Sequence, residues 1–371
     1  MKSFKKRYEN LVVCEAFLRR ASTFEHPFVL KGSLLTRQYV IADFERYVED
    51  IDWVYPLPLK SASEVEKVFG DWIKNVTEID IGDGIEFELF EGSIIDYTWS
   101  WVDYVGNTSD FPTIKTYING SLKTPKANYN LSLSLDISFN IELGVPPVQV
   151  YYKPLFGEAF TVPKAVTLSQ QVAWKLHQTI TRPRYKDIYD LVYLMPYIQH
   201  DSAVKEQIVQ ELVNECIGNG DDINQLKWFI SEKAIRYAYL RETQQMKGNE
   251  FKSLKNELNQ VKKSSVSRNF WSFMYQELYG KTGKEPLVLS ELLTDFRIVL
   301  IDNGFTLEMF ENLPPYSRKK LNFIAPEPNL YKSKENIEED EEDEEEEFIP
   351  KGGNKSLTFM EKLKRFLGIN D

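Results

Sequence analysis

Asp50 and Asp52 form the only Asp-x-Asp pair in the chain. On a strand, alternate side chains share a face, so both carboxylates would point the same way with about 6.6 Å of backbone between them. Hard oxygen donors of this kind suit divalent cations, and the paired metals of phosphoryl-transfer centres sit about 3.5–4 Å apart. Upstream, Phe28-Val29-Leu30 leads into Lys31-Gly32-Ser33 and a helix-like stretch. A Gly-Ser at a helix start exposes backbone N–H groups and a hydroxyl to phosphate oxygens, aided by the positive end of the helix dipole. Together the turn and the paired acids read as a holder for a metal-bound nucleoside triphosphate.

Each part also has an ordinary reading. Gly-Ser recurs at Gly92-Ser93 and Gly120-Ser121, and only Gly32-Ser33 precedes a helix and then the paired aspartates. Asp50 and Asp52 could simply end a strand in water. Strands disfavour Asp, however, and two of them flanking Ile51 need a compensating cation if they face the interior. A third acid lies in LSLSLDISF, where Leu131, Leu133 and Leu135 share one face and Ser132, Ser134, Asp136 and Ser138 the other. Asp136 is either part of a solvated outer face or the base that takes a proton from an attacking hydroxyl.

The second half adds a cation and two more acids. Leu168, Val172, Leu176 and Ile180 recur at helical spacing and leave Lys175 on a flank, from which its ammonium could reach triphosphate oxygens. After Arg182-Pro183-Arg184 a new helix starts, with Asp187 and Asp190 in or near its first turn. Acids there are common as plain dipole partners, so a structural and a site reading both stand.

In this order, Lys31-Gly32-Ser33, Arg46 four positions before Asp50-Ile51-Asp52, a strand with a central Asp136, then Lys175 and Lys186-Asp187-Ile188-Tyr189-Asp190-Leu191, the sequence resembles the AbiEii/AbiGii nucleotidyltransferase toxin family over about residues 8 to 200. These are bacterial abortive-infection and toxin–antitoxin proteins with a polymerase-β-like nucleotidyltransferase fold. The resemblance implies that Lys31, Gly32, Ser33, Arg46 and Lys175 bind the nucleotide. It implies that Asp50, Asp52 and Asp136 hold two Mg²⁺ ions, and that Asp187 completes the catalytic set. It further implies an NTP substrate, an RNA acceptor with the tRNA 3′ end foremost, and a cognate antitoxin. The chain departs from the family at Val48, where Ser or Thr is usual, and its gap from Gly-Ser to Asp-x-Asp is long. Two alternatives remain at this level: an inert relative serving as a protein-interaction module, and transfer of a nucleotide or phosphate onto a protein hydroxyl.

The elements that must position these residues follow from periodicity. The 371 residues, 42% hydrophobic and 13% aromatic, allow two ordinary domains and a substantial core. Tyr8 to Ala21 reads as an amphipathic helix, with Leu11, Cys14 and Leu18 inward and Arg20 away from that stripe. Phe28 to Leu30 reads as a strand, Ser33 to Tyr47 as a helix capped by Gly32-Ser33, Asp50 to Tyr55 as a strand, and Ser63 to Trp72 as a helix. Alternating runs at residues 85–89, 94–101, 113–118 and 129–139 predict antiparallel pairing, and from Leu168 to about Ile301 the period is helical, with a break at Gly218-Asn219-Gly220.

The predicted architecture is α+β: a polymerase-β-like nucleotidyltransferase domain with a mixed sheet at residues 1–167 and a helical domain at 168–330. A disordered acidic linker at 331–355 and a short amphipathic helix at 356–371 complete it. Glu335 to Glu347 hold eleven acids, and without them the 45 remaining acids balance the 45 basic residues, so the net charge of −11 belongs to the tail. The tail helix, with Leu357, Met360, Leu363 and Leu367 on one stripe, is expected to dock on its own body. Lys247 to Arg268 reads as a solvated helix with a phosphate-binding alternative. Cys14 and Cys216 lack metal spacing, His26, His177 and His200 are not gathered, and no run is long enough to span a membrane, so a reducing cytoplasm is the expected location.

Overall fold

The computed structural model describes residues 2–39, 48, 50–88, 99–104, 107–123, 128–181, 184–198, 201–219, 226, 228, 231–261 and 289–305. Arg46, Lys262, Lys263, the acidic linker and the C-terminal amphipathic helix lie outside the described residues.

Helix α1 (Lys2–Ala21) precedes strand β1 (Val29–Lys31), the short helix α2 (Gly32–Thr36) and a 3₁₀ turn at Arg37–Tyr39. Strand β2 (Asp50–Tyr55) and helix α3 (Ala62–Glu78) follow, then β3 (Ile85–Phe87), β4 (Trp99–Tyr104), β5 (Asn107–Lys123) and β6 (Asn128–Phe139). Strands β7 (Val148–Tyr152) and β8 (Phe160–Ala165) complete an eight-stranded sheet of order β3-β5-β6-β2-β1-β8-β7, with β4 on β5. The sheet is mixed: β2 runs parallel to β6 and β1 parallel to β8, whereas the other pairs are antiparallel. Strands β7 and β8 were not anticipated by the periodicity.

Strand alternation divides this sheet into a buried face and a site face. Leu131, Leu133, Leu135 and Ile137 of β6 are buried, as are Ile51 and Trp53 of β2. Together with α1 and α3 they form one core of residues 11–166, in which Phe28 stacks on Trp72 with ring centroids 3.8 Å apart. Because side chains alternate, Asp50, Asp52, Ser134 and Asp136 are left on the opposite face.

Helices α4 (Leu168–Thr181), α5 (Tyr185–Leu194), α6 (Ser202–Asn219), α7 (Glu232–Glu242), α8 (Asn249–Val261) and α9 (Leu289–Asp302) surround a second core of residues 172–305. Val172, Leu176 and Ile180 are buried in it, as their spacing predicts. On α8, Phe251, Leu254 and Leu258 are buried while Lys252 and Lys255 are exposed, the pattern of a solvated amphipathic helix. No helix among the described residues is long and apolar enough to cross a membrane.

Two expectations need correction. The helix expected over Ser33 to Tyr47 is α-helical from Gly32 to Thr36 and 3₁₀ at Arg37–Tyr39, and its remainder at 40–47 lies outside the described residues. The residue in the N-cap position is Lys31, with no side-chain cap bond. Arg20 is buried, 1% exposed, and does not face water. Its guanidinium donates to both carboxylate oxygens of Asp83 (2.8 and 2.7 Å) and to the carbonyls of Ala16, Ile79 and Ile85, so a fully bonded fork offsets the cost of burying the charge.

Candidate active site

Strand register builds the centre of the site. Lys31 on β1 lies opposite Asp52, Asp52 lies beside Asp136 on the parallel strand β6, and Asp136 lies opposite Lys115 on β5. Register neighbours share a face, so Lys31, Asp52, Asp136 and Lys115 form one row across four adjacent strands, two carboxylates between two ammonium groups. Asp50, beside Ser134, stands one pleat further along on that face. Asp50, Asp52 and Asp136 therefore share one face of the sheet, and Lys115, which sequence periodicity did not single out, closes the row. Lys115 Nζ stands 3.4 Å from Asp136 Oδ1, and Lys31 Nζ donates to Ser138 Oγ (3.1 Å).

Crowding of acids shows in their protonation. Asp136 is pushed up to about 6 by burial and then by Asp52 and Asp50, against the pull of Lys115. Burial and Asp50 raise Asp52 as well, while Lys31, Lys186 and Lys175 hold it down. Desolvation disfavours each carboxylate, and every neighbour of like charge disfavours it further.

The glycine turn abuts this row. Gly32 has φ +77°, and a Cβ built on it would lie 2.0 Å from Asp52 Oδ2. Only a residue without a side chain allows the backbone to pass this close to the carboxylate. Gly32 N–H donates to Gln171 Oε1 on α4 (3.3 Å), and Gln171 Nε2 donates to Gly32 O and Thr36 Oγ1 (both 2.9 Å). Ser33 Oγ, close behind, and Ser134 Oγ, beside Asp50, are buried without a hydrogen-bond partner.

Lys175 is not on an open flank. It is buried on α4, donates to Asp190 Oδ2 (2.6 Å) and lies 3.5 Å from Asp187 Oδ1, both on α5. Asp187 also accepts from Arg184 Nε (2.5 Å) and Nη2 (3.0 Å), and Arg184 reaches Gln178 as well. Burial alone would raise Asp187, but Arg184 and Lys175 hold its carboxyl at about 2. Asp187 and Asp190 are thus the fixed anions of an ion-pair cluster next to the sheet site, and the field of Lys175 still reaches Asp52. Val48, where the family carries a hydroxyl, is buried in the first core.

The donor set fits Mg²⁺ in kind: carboxylate oxygens raised by mutual repulsion, which a divalent cation relieves. Among the described residues, no group of three or more His, Cys, Asp or Glu side chains is gathered closely enough to form a metal site as it stands.

The sequence profile of the nucleotidyl transferase AbiEii toxin, type IV toxin–antitoxin system, matches residues 16–267. Among solved structures, MenT4, a nucleotidyltransferase toxin from Mycobacterium tuberculosis H37Rv, is similar at 13% identity and TM-score 0.45, covering 82% of this chain and 87% of its own. A putative nucleotidyltransferase from H. pylori is similar at 12% identity and TM-score 0.39, covering 82% of this chain and 98% of its own. No curated protein matches. The matched span, more than half the chain, contains the glycine turn, the row of acids and the α4–α5 ion pairs, and the chain belongs to the AbiEii nucleotidyltransferase toxin family.

Proposed function

We propose that this nucleotidyltransferase moves a nucleoside monophosphate from an NTP onto an RNA acceptor, the tRNA 3′ end foremost, and so blocks translation. The observation that carries the reading is the lateral row Lys31–Asp52–Asp136–Lys115 beside Gly32. Its acids concentrate negative charge where a triphosphate could dock only with a cation present. Asp50, Asp52 and Asp136 would hold Mg²⁺, which when bound supplies charge neutralisation at the α-phosphate. Family membership implies the NTP substrate and a cognate antitoxin. Action in the cytoplasm, in defence against phage, is part of the same proposal.

Each residue then has a task. Gly32 and Ser33 line the triphosphate, with the Ser33 hydroxyl open to a new partner. Lys31 and Arg46 supply positive charge to phosphate oxygens. Asp136 takes the proton of the attacking hydroxyl, whose oxygen bonds to the α-phosphorus as the bond to the β-phosphate oxygen breaks and pyrophosphate leaves with the electron pair. Lys175, fixed by Asp187 and Asp190, acts on the site through its field. The division of labour at residue 167/168, a catalytic sheet followed by a helical unit, belongs to this proposal too.

The test is incubation of the purified chain with each labelled NTP, Mg²⁺ and total tRNA, with Asp52→Ala as control. Label on tRNA that is absent in the control supports the reading. Label on protein instead moves the acceptor to a protein hydroxyl, and no label on either overturns the proposal.

A further inference from the structure

Gly32 makes an unusual demand on its surroundings. Its left-handed backbone lets it lie against Asp52, but the same turn is half-buried, and its N–H and C=O both need partners away from bulk water. The partner that serves both is the side-chain amide of Gln171, which lies 139 residues further along the chain on α4 and is 3% exposed.

The hydrogen bonds form a closed circuit. Gly32 N–H donates to Gln171 Oε1, Gln171 Nε2 donates to Gly32 O and to Thr36 Oγ1, and Thr36 Oγ1 donates to Gly32 O (3.0 Å). A primary amide offers one acceptor and two donors on a planar group, and every one of these bonds uses them in the required sense. Glutamate cannot donate to Gly32 O, and it would add a negative charge close to Asp52. Asparagine is one methylene short, and methionine matches the length but offers neither donor.

We propose that Gln171 is a positioning residue that holds the Gly32 turn against Asp52, so that the first helix after the sheet domain sets the geometry of the nucleotide site. Gln171 touches no reacting atom. It acts through Gly32, and the inference rests on the nucleotidyltransferase reading only for the consequence at the nucleotide. The circuit also engages the Gly32 N–H, so Gly32 lines the triphosphate by close backbone approach and the Ser33 hydroxyl is the polar contact of the turn.

The test uses the full chain with Gln171→Met, Thr36→Val and Thr36→Ser. The first readout is amide hydrogen exchange of the peptide spanning Gly32 to Thr36, which is independent of activity. Exchange should quicken at least tenfold in Gln171→Met and less in Thr36→Val, stay near wild type in Thr36→Ser, and be unchanged in peptides of α1 and α3. The second is the dissociation constant of Mg·NTP by equilibrium dialysis and the split of KM and kcat. Gln171→Met should weaken NTP binding and raise KM by tenfold or more, with kcat changed less, and Thr36→Ser should restore both. Equal protection of the peptide in all variants overturns the clamp. Faster exchange with unchanged NTP affinity, or a fall in kcat alone that tracks the folded fraction, overturns the positioning role. A wild-type chain that binds no NTP overturns the nucleotidyltransferase reading, and the exchange arm then decides the clamp by itself.

Discussion

The Cα of Gly32 is turned so that its bare face lies on the carboxylate of Asp52, leaving 2.0 Å between a built Cβ and Oδ2. Two separate penalties then fall on Gly32→Ala. The left-handed backbone costs about 1–2 kcal/mol for any residue with a Cβ, and the methyl must displace the carboxylate or the turn. The variant should lose transfer activity by about a hundredfold, a misplacement effect of known size. A melting curve and a rate measured side by side check it, and an active Gly32→Ala protein would mean that the turn does not set the position of Asp52.

Asp136→Asn should separate stability from activity. Wild-type Asp136 titrates near 6 because burial, Asp52 and Asp50 oppose its charge. A carboxyl raised above its unfolded value loses protons first in the unfolded chain, so stability falls as pH rises from about 4 to about 6 and stays reduced above that. The asparagine has no charge to oppose. In metal-free buffer at pH 8 the variant should be more stable than wild type by on the order of 2 kcal/mol, shrinking towards zero near pH 4. Urea melts at both pH values decide it, and a destabilised variant at pH 8 would refute the repulsion. Transfer activity should vanish.

Residue types at the site were legible, and their partners were not. Asp50 and Asp52 could be placed on one face because alternation along a strand fixes facing, and the same alternation set Asp136 opposite Leu131, Leu133 and Leu135; β2 spans Asp50–Tyr55, as expected. What alternation cannot give is register between strands. Lys115 reaches Asp136 only because the long β5–β6 hairpin aligns them, and nothing local to either residue encodes that pairing. The same gap explains Lys175. Helical spacing set it beside the apolar stripe of α4, but its burial depends on the angle at which α5 presents Asp187 and Asp190. Gln171 gave no signal at all, since its role exists only once α4 packs on the Gly32 turn.

The α4–α5 ion pairs give the clearest acid sensitivity. Asp187 is held at about 2, below its unfolded value, so its contribution is fully present above about pH 4 and is lost as pH falls towards 2. The contribution is on the order of 2 kcal/mol for a shift of this size. The unfolding free energy of wild type should therefore drop more steeply between pH 4 and pH 2 than that of Asp187→Asn. Lys175→Met should be worse than either at neutral pH, costing about 3–5 kcal/mol because it strands buried carboxylates. Thermal melts across this range test both, and parallel pH slopes for wild type and Asp187→Asn would refute the assignment.

A cation bound among Asp50, Asp52 and Asp136 binds only the folded chain, so it must stabilise that chain by RT ln(1 + [M]/Kd), about 2.7 kcal/mol at a hundred times Kd. The same cation removes the repulsion that raises Asp52 and Asp136, so its effect should be largest where that repulsion is largest, above about pH 6. Titrating Mg²⁺ or Mn²⁺ into wild type at pH 8 should raise Tm by a few degrees, since one kcal/mol shifts Tm by about 2–4 °C at about 150–250 residues and by less in a longer chain. Asp52→Asn and Asp136→Asn should show little of that rise, although Asp136→Asn starts from a higher Tm. Glu64→Gln, in the first turn of α3, whose apolar residues pack in the core with the buried face of the sheet, should show all of it. Equal metal-induced shifts in wild type and Asp52→Asn would place cation binding elsewhere, and the row of acids would then need a role that does not involve metal.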